Sequence, residues 1–275
     1  MKKQNAFELS AKIATRAAAG ITIGTLVFLV GFILVKGIPY IKPSLFSFTY
    51  NSENVSLMPA LISTIIMTLF SLLIAVPFGV FSAIYLTEYA GRGNKAVALI
   101  RVTTETLSGI PSIVYGLFGM LFFGAFLGWG FSLLAGAFTL AIMILPLIMR
   151  SSEEALKAVP DTYREGAFGL GAGKLRTVFK IVLPSAIPGI LSGIILAVGR
   201  IVGETAALIY TAGTVAQIPT NPMMSVRTLS VHMYALSSEG LHMNEGYATA
   251  VFLLLVVMLI NMVSAKIAKK IGGAV

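Results

Sequence analysis

The chain has 275 residues, 57% hydrophobic and only 11% charged, with mean hydropathy +0.91 and net charge +9. A soluble domain has about 25% charged residues, and no soluble fold of this size hides so much apolar surface, so lipid solvates much of the chain. With no cysteine and two histidines, His232 and His242, disulfides, thiolate metal sites and a cysteine nucleophile are excluded, and a structural zinc site is disfavoured.

A membrane-spanning helix needs about 20 apolar residues. After a basic segment at 1–16, the 19 uncharged residues 17–35 predict a first helix over 17–38. That stretch outruns the apolar core of a signal peptide, and no small-x-small cleavage site follows, so it reads as a retained helix. Next, the 31 uncharged residues 57–87 predict a helix over 61–87. The 44 uncharged residues 106–149 are too many for one span. Gly128, Trp129 and Gly130 near their middle predict a hairpin of helices over 108–128 and 131–149. A fifth helix over 185–209 starts beside Pro184 and Pro188, and a sixth covers 246–265, before a tail at 266–275. Gly20/Gly24, Gly124/Gly128 and Gly189/Gly193 have the spacing that lets helices approach closely.

The expected class is thus an all-α integral membrane protein of about six transmembrane helices. Sixteen of the 20 basic residues fall at the N-terminus, in the second-to-third and fourth-to-fifth connections and in the tail. By the positive-inside rule those segments and both termini face the cytoplasm, which also explains the basic excess without a nucleic-acid partner. Glu88 and Glu105, flanking one of these connections, read as solvated charges.

The connection at 150–183 is the most charged. It reads as a short helix capped by Asp161, a break at Gly169, Gly171 and Gly173, and an amphipathic stretch leading to Leu183-Pro184. Its glycines do not form a phosphate loop: Phe168 stands where the motif needs glycine, and Leu175 follows Lys174 where Ser or Thr is required. Glu165-Gly166-Ala167, then Gly171 with three residues between it and Ala167, then Ile181-Val182-Leu183-Pro184 with nine between Gly171 and Ile181, resemble the EAA loop of ABC importer permeases. Gly166 departs from the alanine usual in that family. The resemblance implies the type I ABC importer permease core. It also implies a coupling helix, involving Glu165, Gly166, Ala167, Gly171, Ile181, Leu183 and Pro184, that seats in a separate ATPase subunit.

Between 181 and 226 the only charges are Arg200 and Glu204. Ionisable groups at membrane depth are functional candidates. Four residues apart on one helix, they would share a face and pair. A guanidinium fork suits the oxygens of a tetrahedral oxyanion, while the plainer alternative is an arginine snorkelling to the interface beside a structural ion pair. Both readings stay open on physical grounds. Pro111 with Ser108 as cap reads as a helix start, whose spare amides, with the hydroxyls of Ser108 and Ser112, can face a passing anion.

Gly199-Arg200-Ile201-Val202-Gly203-Glu204-Thr205-Ala206-Ala207-Leu208 resembles the signature of the phosphate-type permeases, and its Thr-Ala-Ala-Leu ending resembles their A-type subunit. Tyr85-Leu86-Thr87-Glu88-Tyr89, the stretch from Leu107 through Ser108, Pro111 and Ser112 to Gly116, and Lys36-Gly37-Ile38-Pro39 are similar to the same family. The resemblance implies phosphate import with Arg200 and Glu204 on the substrate path. It implies no cofactor in this chain, ATP and Mg being bound by a dimeric cytoplasmic ABC ATPase. It also implies a second, C-type permease subunit and an extracytoplasmic phosphate-binding protein as partners. Rival readings are an importer of molybdate or sulfate, an ion-coupled secondary transporter, and a membrane anchor without transport.

Overall fold

The computed structural model describes residues 2–91 and 93–272, with side chains from Glu8 to Lys266 except Glu239. Of the basic positions counted above, Arg92 lies outside the described residues, as do Met1 and residues 273–275, and Lys2, Lys3, Lys269 and Lys270 are described in their backbone alone. The described residues form helices and connecting loops: α1 (Lys2–Gly37), α2 (Met58–Ile84), α3 (Lys95–Ser108), α4 (Ser112–Gly119), α5 (Leu133–Lys157), α6 (Asp161–Gly169), α7 (Lys174–Thr177), α8 (Leu183–Gly203), α9 (Ala206–Thr211), α10 (Leu229–Glu239) and α11 (Met243–Gly272).

Five helical stretches are long and apolar enough to cross a membrane, and a sixth counts if α3 and α4, bent by 101° at a short break, are one span. Several expected bounds change. α2 starts at Met58 rather than 61 and passes into a π-helical turn, Tyr85–Tyr89. The helix expected over 108–128 runs from Ser112 and continues as a π-helical turn through Phe126. α5 runs eight residues past 149 because Arg150, Ser151 and Ser152 extend it without a breaker, Ser151 Oγ donating back to the Leu147 carbonyl. The fifth span is helical from Lys174 to Gly203, so Pro184 lies at the start of α8 and Pro188 inside it. It stops at Gly203 instead of reaching 209.

The core is built on α5, packed between α2 and α8. Leu140, Met143, Ile144 and Ile148 of α5 join Met67 and Ala75 of α2, and Ala197 and Ile201 of α8, in one buried cluster. Close approach is enforced by small residues. A Cβ on Gly189 would meet Ala155 Cβ at 2.7 Å, and one on Gly193 would collide with Ser151. Gly20 and Gly24 meet nothing within 4 Å, and α1 presents its apolar sides outward as lipid-facing helices do. Gly128 has φ +71 and serves the turn between α4 and α5, beside an aromatic stack of Phe123, Trp129 and Phe138.

Candidate functional site

The EAA-like residues sit at the end of the bundle where α5 terminates. Pro160 occupies the cap position of α6, and Asp161, expected as the cap, is its first residue. The helix ends as a Schellman motif: Gly171 is left-handed at φ +79, the Ala172 amide donates to the Ala167 carbonyl and the Gly171 amide to the Phe168 carbonyl. Of the three expected breakers, Gly171 is therefore the one whose conformation the turn requires. Glu165 and Gly166 are exposed, and a Cβ on Gly166 would meet nothing, so the departure from alanine strains no contact. Ala167 is buried, while Tyr163, Phe168, Leu170 and Leu175 are exposed, Leu170 by 91%. Ile181 lies in a π-helical turn, Val178–Val182, that runs directly into Leu183 and Pro184 of α8.

Arg164 anchors this small helix. Its Nη2 lies 2.7 Å from Glu88 Oε1 and donates to the Leu156 carbonyl at 2.9 Å, while Nη1 donates to the Val159 carbonyl at 2.8 Å and to Asp161. α6 is thus tied to the turn ending α2 and to the end of α5. The Glu88 hydrogen bond raises the guanidinium's pKa further above its ordinary value. Glu88, read from sequence as solvated, is a buried ion-pair partner: its side chain is 8% exposed and that of Arg164 15%. A parallel tie binds α3 to α5, with Arg101 and Lys157 both on Glu153 at 2.7 and 2.6 Å. A cleft of about 680 Å³ between α3 and α6 is lined by Glu88, Lys95, Arg101, Lys157, Asp161 and Arg164.

Arg200 and Glu204 are close in the chain but not partners. Arg200 is half-buried in the last turn of α8, near Tyr115 of α4, and makes no hydrogen bond or ion pair among the described residues. Its helical span starts at Lys174, earlier than the expected 185, so Arg200 lies about 39 Å along the axis from that start at about 1.5 Å per residue. Glu204 lies just beyond α8 in extended conformation (φ −72, ψ 128), so the shared helical face is lost. Its carboxylate, 8% exposed, accepts from the Ala207 amide at 3.0 Å and caps α9. Its carbonyl accepts from Ser230 Oγ at 2.5 Å. α9 packs on α4 where a Cβ on Gly116 would meet Ala207 Cα at 2.8 Å and one on Gly119 would strike Thr139 and Thr211.

Ser108 is not a cap. It is the last residue of α3, exposed, with Oγ donating to the Glu105 carbonyl at 2.7 Å, whereas Pro111 caps α4 and half-buried Ser112 begins it. Sequence reasoning also passed over Arg227, counted only as a basic residue away from the main clusters. It is 5% exposed, and its lone position between Glu204 and Glu239 in an otherwise uncharged stretch was the available signal.

A polytopic helical bundle with a short helix tethered at one end, and with Arg200 and Arg227 lacking ion-pair partners among the described residues, has the form of a membrane transport subunit. The model of the family described as "Binding-protein-dependent transport system inner membrane component" matches residues 75–271. The chain is 34% identical over 243 residues to the "Probable ABC transporter permease protein YqgI" of Bacillus subtilis, covering 81% of each. It is 34% identical over 226 residues to the "Phosphate transport system permease protein PstA" of Yersinia pestis, covering 80% of this chain and 75% of that one. With a "Phosphate transport system permease protein PstA 1" of Mycobacterium tuberculosis, identity is 35% over 212 residues, 76% and 69% of the two chains. Among solved structures, the fold is shared with the MetNI methionine ABC transporter (TM-score 0.61, 22% identity, 78% of this chain and 94% of that one). It is also shared with a bacterial alginate ABC transporter (TM-score 0.64, 16% identity, 93% and 95%). The chain belongs to the family of binding-protein-dependent transport system inner membrane components and has the type I ABC importer permease fold.

Proposed function

We propose that this chain is the A-type permease subunit through which inorganic phosphate crosses the inner membrane, driven by ATP hydrolysis in a separate subunit. The observation that carries the reading is Arg200: permanently charged, half-buried, without a carboxylate partner, within the stretch that resembles the phosphate-type signature. The relatives named as phosphate permeases in Mycobacterium tuberculosis and Yersinia pestis support the substrate.

In this reading the α6 end faces the cytoplasm together with both termini, as the 16-to-4 division of basic residues supports. Tyr163 and Phe168 of α6, Leu170 just past it and Leu175 of α7 make an apolar knob suited to a groove on an ATPase dimer that binds ATP and Mg. Arg164 carries the knob's movement to α2 and α5, while the α7–α8 junction carries it to the helix bearing Arg200. Glu204 orients α9 through its cap, and Ser112, at the start of α4, faces the same path. Ser108, hydrogen-bonded to its own helix, takes a peripheral part. A second, C-type permease subunit completes the pathway, and an extracytoplasmic phosphate-binding protein delivers the ion. The chain has no ATPase site or cofactor of its own in this scheme.

An energy source is needed because one negative charge moved inward against 100 mV costs about 2.3 kcal/mol, and a dianion about twice that. The test is labelled-phosphate uptake by proteoliposomes holding the chain with its candidate partners, with and without ATP. ATP-dependent uptake supports the reading. Uptake by the chain alone would make it a secondary transporter, and ATP-dependent uptake of molybdate or sulfate with phosphate excluded would make it an importer of another oxyanion.

A further inference from the structure

A second guanidinium lies three residues before Ser230, the residue that binds the Glu204 carbonyl. Arg227 is 5% exposed and its Nε is buried without a hydrogen-bond partner. No ion pair or hydrogen bond holds its side chain among the described residues, and its guanidinium lies over the face of Tyr50, 4.8 Å from the ring centroid. An uncompensated buried charge is costly, whereas an arriving anion would satisfy it. Its backbone is fixed on both sides. The Val226 amide donates to the Ala212 carbonyl at 3.0 Å, and the Leu229 amide to Thr64 Oγ1 at 2.8 Å.

The same Tyr50 ring touches a second unsatisfied group. His232 is fully buried, edge-on to Tyr50 with ring centroids 6.0 Å apart. Its Nε2 lies 3.2 Å from the Val55 carbonyl, which can only accept, so Nε2 carries the proton. Nδ1 is buried without a partner. Burial, and then the Arg227 charge, lower the imidazole pKa to about 3, so at neutral pH Nδ1 is a bare acceptor. The site therefore joins a cation to a lone pair that needs a proton from its ligand. Sulfate, molybdate and a protein carboxylate carry no such proton at neutral pH, but hydrogen phosphate does.

We infer that Arg227 and His232 form a subsite for a protonated tetrahedral oxyanion, Arg227 binding its oxygens and His232 Nδ1 accepting its O–H. The inference rests on the phosphate reading and deepens it. Ser230, two residues before His232, donates to the Glu204 carbonyl, so the subsite adjoins the α8–α9 break that follows the turn bearing Arg200.

The test is hydrogen–deuterium exchange on the purified permease–ATPase complex without binding protein, in inorganic phosphate or in sulfate. Phosphate should slow exchange across 226–232 and sulfate should not. Arg227→Gln should lose that protection and lower maximal ATP-driven phosphate uptake about tenfold or more, the scale of a lost charge-assisted hydrogen bond. His232→Gln should give equal protection by the two anions. No protection of wild type by phosphate, equal protection by sulfate, or a fully protected Arg227→Gln variant would overturn the subsite. If Arg227→Gln fails to assemble, the wild-type comparison decides alone. A wild-type complex that imports phosphate yet shows no protection sinks the subsite and leaves the phosphate reading standing. One that imports no phosphate sinks that reading.

Discussion

Arg164 reaches across 76 residues of sequence to Glu88, Nη2 to Oε1 at 2.7 Å, and the pair lies where α6 meets the end of α2. Removing one member of a buried, hydrogen-bonded pair leaves a charge uncompensated and costs about 3–5 kcal/mol. Arg164→Met also frees the Leu156 and Val159 carbonyls. It should lower the thermal stability of the complex and reduce phosphate uptake per ATP hydrolysed. Glu88→Gln, which keeps an acceptor, should do less of both. Thermal unfolding of the solubilised complex and parallel uptake and hydrolysis assays measure these effects.

The α5–α8 contact depends on an absent side chain. Gly193→Ala places a methyl group against Ser151 Cβ and Oγ, and the Ser151 hydroxyl is already committed to α5 carbonyls. Overpacking of this kind costs about 1–3 kcal/mol. Adding Ser151→Gly should restore most of it, a rescue that thermal unfolding of the single and double variants detects.

Glu204 separates a capping role from a pairing role. Glu204→Gln keeps the carbonyl oxygen that accepts from the Ala207 amide and should stay near wild-type stability. Glu204→Ala removes the cap and should cost about 1 kcal/mol. Uptake by the Gln variant should exceed that of the Ala variant. An ion pair with Arg200 as the main role would instead make both variants equally defective.

His232 sets an acid limit. Its folded pKa of about 3 lies below the ordinary imidazole value of 6.5, so between those values the unfolded chain binds a proton that the folded chain does not. The associated stability is fully present above pH 6.5 and declines as pH falls towards 3, by up to about 1.4 kcal/mol per unit. Unfolding midpoints of the complex from pH 7.5 to 5 should fall, and the fall should be shallower in His232→Gln.

The spans were legible in the sequence because lipid demands long uncharged runs, and hydropathy alone marks α1, α2, α5, α8 and α11. The breaks were not. Pro111 marks a helix start but not the 101° bend between α3 and α4, and the packing of α4 on α9 at Gly116 and Gly119 joins residues about 90 apart in sequence. Nothing local announces that Glu204 leaves α8, because its carbonyl is held by Ser230 on α10, 26 residues away. Glu88 looked solvated because its partner sits 76 residues further on. The EAA-like spacing, being local, was readable, but it offered Gly169, Gly171 and Gly173 alike as breakers, and the structure singles out the left-handed Gly171. The candidate site was half legible: Arg200 stood out as a charge in an apolar run, whereas Arg227 became a candidate only when its burial without a partner was seen.

The central claim is that a partnerless guanidinium on α8 handles phosphate while ATP is spent elsewhere. Its most direct measurement is ATP-driven uptake of labelled phosphate by the reconstituted complex carrying Arg200→Gln. The account predicts a complex that still co-purifies with its ATPase but has lost uptake, by about tenfold or more for a charge-assisted contact. Uptake at the wild-type rate would contradict it.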